Sequence, residues 1–376
     1  MTQAERPSEA PLNVALIGVG MVAKTHLRAV RNLVPLVRLR GVLATTPERA
    51  QAFADTAARE EGVGDVLAYP DLEALIADEA LDFVIVLTPP NARQAIVEAL
   101  CAARLPILME KPVERDLARA TALVETCERA GNPLGIVFQH RFRSVSEQLA
   151  TLLQDGALDE VGLVEVSVPW WREQAYYDEP GRGTLARDGG GVLISQAIHS
   201  LDLMLSLVGD VSRVQAMAVR TRFHDMEAED FVSAGLTFSS GAVGSLQAST
   251  AQYPGGAEFI IVHGDKCVAR LGAGQLVLDW RDGRQEIVGE AGSTGGGADP
   301  MAFTHAWHQS VIEDFALALQ QGRAPRVTGR EALRVHRLID ALIASSGAGR
   351  AIDLGLDLDL DLDLDLDLDL DLPSSD

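Results

Sequence analysis

Cysteine is scarce in this chain: Cys101, Cys127 and Cys267 are spread over 376 positions. An odd number of them, with no Cys-x-x-Cys pair, excludes a disulfide framework and a structural zinc site and fits a reducing cytoplasm. Long apolar runs are missing too. No stretch reaches the roughly 18 residues of a membrane-spanning helix, and the polar start Met1–Asn13 lacks the basic-then-apolar order of a secretion signal, so no membrane partner is expected. Basic residues are outnumbered, 32 Lys and Arg against 54 Asp and Glu, for a net charge of -22. Ten of those acids are aspartates from Asp353 onward, which leaves the body of the chain at -12. No basic stripe remains to neutralise phosphates, which opposes nucleic acid as a partner.

What is present is length enough for two domains, with 47% hydrophobic residues to fill their cores. In the first half, short apolar runs alternate with helical periodicity. Val14–Ile17, Leu36–Ala44, Phe83–Leu87, Pro106–Met109 and Leu134–Phe138 read as strands, and Met21–Leu33, Pro47–Ala58, Leu72–Ala77, Ala92–Ala103 and Leu117–Ala130 as helices. That alternation predicts a parallel sheet covered by helices on both faces. Thr46 and Asp71 stand where N-caps belong, and Gly131 where a helix should stop.

After Gln139 the rhythm changes. A helix over Ser144–Gln154, a strand over Val161–Val168 and a loop over Trp170–Asp188 lead to a helix around His199. Strands follow in series over Val211–Arg222, Phe231–Phe238, Ala242–Thr250, Glu258–His263, Cys267–Leu271 and Gln275–Trp280. Gly292–Gly297 reads as a loop, and helices over Met301–Leu319 and Arg330–Ser345 close the chain. Consecutive strands predict an α+β domain with a large, mostly antiparallel open sheet. The expected boundaries are a flexible segment 1–11, a dinucleotide-binding domain 12–138, an α+β domain 139–353 for substrate and oligomer contacts, and a tail 354–376. In that tail Asp-Leu repeats eight times from Asp357 to Leu372. Aspartates stacked on one face of a strand repel, so the tail is expected to be disordered.

Three stretches carry chemistry. Gly18-Val19-Gly20-Met21-Val22-Ala23 is a GxGxxA turn between a strand and a helix, where glycines let the backbone approach a pyrophosphate at a helix N-terminus. It predicts NAD or NADP, with Gly18, Gly20, Met21 and Val22 at the cofactor. The end of the second strand has no acid for a ribose 2′-hydroxyl; Thr45, Thr46 and Arg49 stand there instead and suit a 2′-phosphate, favouring NADP or dual use. Glu110-Lys111-Pro112 follows the strand Pro106–Met109 at the carboxyl edge of the sheet, where Lys111 could stabilise an oxyanion or serve merely as a solvated loop lysine. Gly189–Asp202 feeds three glycines into an apolar helix that sets Ser195, His199 and Asp202 on one side. Alone, His199 reads as a core histidine; with Lys111 and the glycine turn it reads as an acid/base. Trp171, Arg172, Tyr176, Tyr177, Arg182 and Thr184 ahead of the glycines offer rings and donors to a hydroxylated ring, and His140 and Arg141 at the domain junction are further candidates. His305 and His308 share a helical face, but no carboxylate or cysteine pattern joins them, so no metal is expected.

These motifs, with Thr88-Pro89-Pro90-Asn91 and His26, occur in the order and approximate spacing of the Gfo/Idh/MocA oxidoreductases, which the chain resembles over about residues 12 to 353. The resemblance implies a Rossmann domain followed by an α/β domain, with Thr88, Pro89, Asn91, Glu110 and Lys111 near the cofactor. It implies a sugar, sugar-derivative or cyclitol substrate and a homodimer or homotetramer formed through the C-terminal sheet. Lys111 would orient the reacting hydroxyl and His199 would move its proton. Relatives on the same scaffold imply two other readings, glycoside cleavage by transient oxidation and a non-catalytic dinucleotide-binding sensor. Two departures stand out. Ser195 occupies a place where Asp or Asn is usual, which leaves it a positioning role and leaves Asp202 or the substrate to orient His199. Arg93 replaces a His after the Thr-Pro turn and reads as structural or cofactor-proximal.

Overall fold

The computed structural model describes residues 10–292 and 303–355. The segment expected to be flexible at the N-terminus lies mostly outside this range. So do the Asp-Leu repeat and all but the first residue of Gly292–Gly297.

Six strands form the first sheet: β1 (Leu12–Ile17), β2 (Val37–Leu43), β3 (Leu67–Tyr69), β4 (Phe83–Val86), β5 (Ile107–Glu110) and β6 (Leu134–Val137). They run parallel in the order β3-β2-β1-β4-β5-β6. This is the doubly wound topology expected, and its strand order reverses between β1 and β4, where ligands of such sheets bind. Strands β4, β5 and β6 are buried at every position, as helices on both faces require. The covering helices are α1 (Ala23–Asn32), α2 (Pro47–Thr56), α3 (Leu72–Ile76), α4 (Gln94–Ala102) and α5 (Leu117–Ala130). Thr46 caps α2, Asp71 caps α3 and Gly131 ends α5 in the left-handed region, as read from the sequence. The helix expected over Ala92–Ala103 starts late, because Pro90–Ala92 forms a tight turn ahead of Arg93. Three-residue β3 was not read from the sequence, being too short to show a period.

The second part opens with α6 (Ser144–Gln154), β7 (Val161–Pro169), the short α7 (Gln174–Tyr177) and α8 (Ile198–Val208). Strands β8 (Val211–Val219), β9 (Phe231–Phe238), β10 (Val243–Ser249), β11 (Phe259–Gly264), β12 (Cys267–Leu271), β13 (Gln275–Trp280), β14 (Gln285–Gly289) and β15 (Ile352–Asp353) complete a nine-stranded sheet. Its ladders are antiparallel apart from the parallel pair β7 and β10.

Two closing helices, α9 (Ala306–Gln321) and α10 (Gly329–Ala348), bind the two sheets together. On α10, His336 Nε2 accepts from the Val113 amide and Asp340 from the Leu117 amide, while Ser345 and Ser346 accept from the amides of Ala216 and Ala218 on β8. From α9, Phe315 packs its ring on Phe83 of β4 at 5.4 Å. Among the described residues no helix is long and apolar enough to cross a membrane.

Candidate active site

At the switch point the chain leaves β1 through Gly18, whose φ of +103° a side chain would strain, and whose Cβ would lie 3.1 Å from the Leu87 carbonyl carbon. Gly20 differs: no described atom lies within 4 Å of where its Cβ would stand. That open space faces the start of α1, which has no acid in its first turn and so leaves its N-terminus to an anion. Across the turn, Thr88 Oγ1 is buried without a partner among the described residues. Free backbone and an unmatched hydroxyl at a switch point fit a dinucleotide. At the end of β2, Arg49 Nη1 donates to Thr45 Oγ1 at 3.1 Å and the Arg49 amide to Thr46 Oγ1, all on the exposed surface. The nearest acid, Glu48, bonds its own amide and the Thr46 hydroxyl, which lowers its pKa. Asn91 is exposed and stands apart from the cavity.

Lys111 leaves the end of β5 held from behind. Glu110 Oε2 accepts the Lys111 amide at 3.2 Å, and Glu110 Oε1 bonds His26 Nε2 at 2.8 Å with His308 Nε2 at 3.6 Å. Burial alone would raise the Glu110 pKa; the His26 and His308 imidazoles more than offset it and hold the carboxyl well below its usual range. The carboxylate that sequence spacing did not supply for His308 therefore comes from another strand. His26, Glu110 and His308 bring their ligand atoms within 4.8 Å of one another. His305 instead meets Asn32 on the surface.

Arg93 is fully buried and donates to the carbonyls of Thr88, Glu110 and Pro112, tying the loop after β4 to the loop after β5. Of its two sequence readings, these bonds give it the structural one, although it also borders the cavity.

His199 arrives from the other part of the chain. A Cβ on Gly191 would fall 1.7 Å from the Glu229 carbonyl oxygen, so only glycine lets this segment lie against Glu229. The Glu229 carboxylate then accepts the amides of Gly191 and Leu193, both at 3.0 Å, and caps the helix start. The first turn, Leu193–Ala197, is a wide π turn that runs into α8. Such turns loosen the helical bonding of nearby carbonyls. The Ser195 carbonyl accepts from Lys111 Nζ at 2.7 Å. The contact between lysine and helix is thus to the main chain and not to the serine side chain, and the positioning role expected of Ser195 falls to its carbonyl.

The His199 ring stacks on His140 at 4.8 Å and meets the Phe138 ring edge-on at 6.1 Å. Its Nδ1 is buried with no partner among the described residues. Asp202 does not orient it. Arg141 takes both Asp202 oxygens at 2.7 and 2.6 Å and also reaches Glu331 of α10. Burial first, and the nearby Lys111 charge second, hold the His199 pKa well below the usual range; burial does the same to His140. Burial likewise pushes the Lys111 ammonium down to about 8, with Glu110 opposing and Arg93 and Arg182 adding.

A cavity of about 320 Å³ joins these groups. Gly20, Met21, Val22, Thr88, Pro89, Glu110, Lys111, His140, Ser195 and His199 all border it, as do Arg172, Tyr176 and Arg182 from the preceding loop. Several expected neighbours lie elsewhere. Trp171 points away, bonding Glu173 and packing against Tyr253, and the buried Trp170 takes its place in the wall. Tyr177 turns inward to Thr250, and the Thr184 hydroxyl donates to the Gly181 carbonyl within its own turn. Gln196, Arg187, Asp188, Phe303 and Trp307 border the cavity without having been read from the sequence, and His308, weighed there only as a metal ligand, borders it too.

Residues 12–138 match the family described as an oxidoreductase family with NAD-binding Rossmann fold, and residues 146–270 match the GFO/IDH/MocA C-terminal domain. D-apiose dehydrogenase from Rhizobium rhizogenes is 27% identical over 363 residues, spanning 92% of this chain and 98% of the relative. The NADP(+) D-xylose 1-dehydrogenase 2 from Haloferax volcanii is 28% identical over 339 residues, 86% of this chain and 96% of the relative. Among solved structures, the WlbA dehydrogenase from Bordetella pertussis in complex with NADH and UDP-GlcNAcA superposes with a TM-score of 0.77 at 25% identity, covering 92% of this chain and 100% of that one.

Proposed function

The chain belongs to the Gfo/Idh/MocA family of oxidoreductases, and from that premise we propose that it is an NAD(P)-dependent dehydrogenase acting on a secondary hydroxyl or ketone of a sugar, sugar derivative or cyclitol. The observation that carries this reading is the meeting of Lys111 and His199 at one cavity that also receives the glycine turn. The relatives whose names specify D-apiose and D-xylose support the substrate class.

Bound NAD(P) supplies the hydride acceptor or donor. The proton and charge fall to this chain's residues. Lys111 holds the substrate oxygen and stabilises the negative charge that grows there as the proton leaves. His199, neutral at pH 7 because its pKa is depressed, takes that proton. In the reverse direction the same ring returns the proton to the substrate oxygen. Ser195 positions Lys111 through its carbonyl. Thr45, Thr46 and Arg49, with Glu48 bonded back onto its own helix, support NADP or dual use.

Leu163, Met217, Val219, Val243 and Ile287 are exposed on one face of the second sheet, which supports a homo-oligomer built on that face. Cys101 and Cys127 remain thiols with their sulfurs 3.5 Å apart, in keeping with a cytoplasmic setting.

The test is a panel of sugars and cyclitols with NAD and with NADP, followed at the nicotinamide absorbance. Stoichiometric reduction with at least one substrate is expected, with Arg49→Gln raising KM for NADP more than for NAD. Reduction by none contradicts the reading, and glycoside cleavage without net reduction replaces it.

A further inference from the structure

The cavity is electropositive in a chain whose net charge is -22. Arg93, Lys111, Arg172, Arg182 and Arg187 border it against two acids, Glu110 and Asp188. Both acids are engaged. Glu110 bonds His26 and the Lys111 amide, and Asp188 Oδ2 accepts the Gly183 amide at 2.9 Å. The imidazoles of His140 and His199 add no charge at neutrality and so do not change the balance. A focused positive potential inside an acidic protein selects an anionic ligand.

Three donors on the loop before the catalytic helix have capacity to spare. Arg182 stands over the Tyr176 ring at 4.5 Å, donates through Nη1 to its hydroxyl at 3.2 Å and through Nη2 to Glu179 at the rim at 2.5 Å, while its buried Nε has no partner among the described residues. Arg187 Nη1 is buried with Asp188 Oδ1 at 3.7 Å, beyond hydrogen-bond reach. Tyr176 also accepts from Gln196 Nε2 at 3.3 Å, so its oxygen receives two bonds and its own O–H is left to donate. Buried donors of this kind are seldom left unmatched. Gln196 directly follows Ser195, whose carbonyl holds Lys111, so this cluster adjoins the reacting end rather than the glycine turn where a pyrophosphate binds.

We propose that the substrate is a sugar acid, its carboxylate received by Arg182, Arg187 and the Tyr176 hydroxyl while Lys111 and His199 act on a ring hydroxyl. This rests on the dehydrogenase reading, and binding tests it separately from turnover. The full chain, saturated with NAD(P), is titrated calorimetrically with pairs of a neutral sugar and its uronic acid, with glucose 6-phosphate as a further arm. At least one uronate should bind about tenfold more tightly than its parent sugar, as charge-assisted bonds would give. Arg187→Gln and Arg182→Gln should each remove most of that preference, and Arg187→Lys should restore part of it. Equal binding within every pair, a preference unchanged in both glutamine variants, or tighter binding of the phosphate ester than of any uronate would overturn the assignment. If uronates bind tightly and no sugar or acid reduces the cofactor, the dehydrogenase reading fails and the anion site stands. If neutral sugars are oxidised and uronates do not bind, the reverse holds.

Discussion

Lys111 Nζ donates to the main-chain carbonyl of Ser195 at 2.7 Å, and this bond joins the edge of the first sheet to the helix that carries His199. A backbone acceptor does not depend on which side chain occupies the position. Ser195→Ala should therefore keep kcat/KM within about threefold, whereas Lys111→Met should lower it by about 100-fold or more, as loss of an oxyanion donor does. Steady-state kinetics on both variants decides the matter. Equal losses would put the serine hydroxyl into the chemistry.

The active protonation state has Lys111 charged and His199 neutral. Oxidation should thus be level through neutrality, fall only at pH values well under the ordinary histidine range, and fall again as Lys111 loses its proton near pH 8. In Lys111→Arg the guanidinium stays charged, so whatever activity remains should lack the alkaline limb. An alkaline limb near pH 8 in that variant assigns it to another group.

Much of this architecture is legible in the chain because its signals are local. Caps at Thr46 and Asp71, the glycine turn and fully apolar strands depend on neighbours a few residues away. The misplaced tryptophan was legible as well: Val164, Val166 and Val168 are the buried positions of β7, and the same period of two continues inward to Trp170, leaving Trp171 outside. Other features leave no local trace. Glu229 caps the catalytic helix from 38 and 36 residues away, and Arg141 reaches Asp202 across 61. His308 approaches Glu110 only because α9 folds back onto the first sheet. Spacing along the chain does not encode such meetings.

Glu110 is a buried carboxylate bonded to His26 Nε2 at 2.8 Å. Glu110→Gln should destabilise the protein by about 3 kcal/mol at pH 7, the usual cost of breaking a buried pair. Because the folded pKa is depressed, the stabilisation is present above the ordinary carboxyl value near pH 4.3 and is lost as pH falls through the lower folded value. The difference between wild type and variant in urea unfolding should accordingly shrink in acid. A difference that is absent at pH 7, or that grows on acidification, contradicts this.

The two turn glycines should separate folding from binding. Gly20→Val places its side chain in open space and should leave the melting temperature nearly unchanged without cofactor, while raising the Kd for NAD(P) at least about tenfold, the effect of blocking backbone approach to the pyrophosphate. Gly18→Ala meets a φ of +103° and the Leu87 backbone and should lower the melting temperature itself. Thermal shifts with and without cofactor report both. A Gly20→Val protein that binds NAD(P) normally would move the cofactor away from this turn.

The most direct test of the central claim, that Lys111 and His199 together run hydride transfer, is single-turnover reduction of NAD(P) by His199→Ala with cofactor binding measured in the same sample. The arrangement predicts cofactor affinity within about twofold of wild type and a reduction rate lower by about 100-fold or more, the usual contribution of a general base. Reduction at the wild-type rate with the best substrate would contradict it.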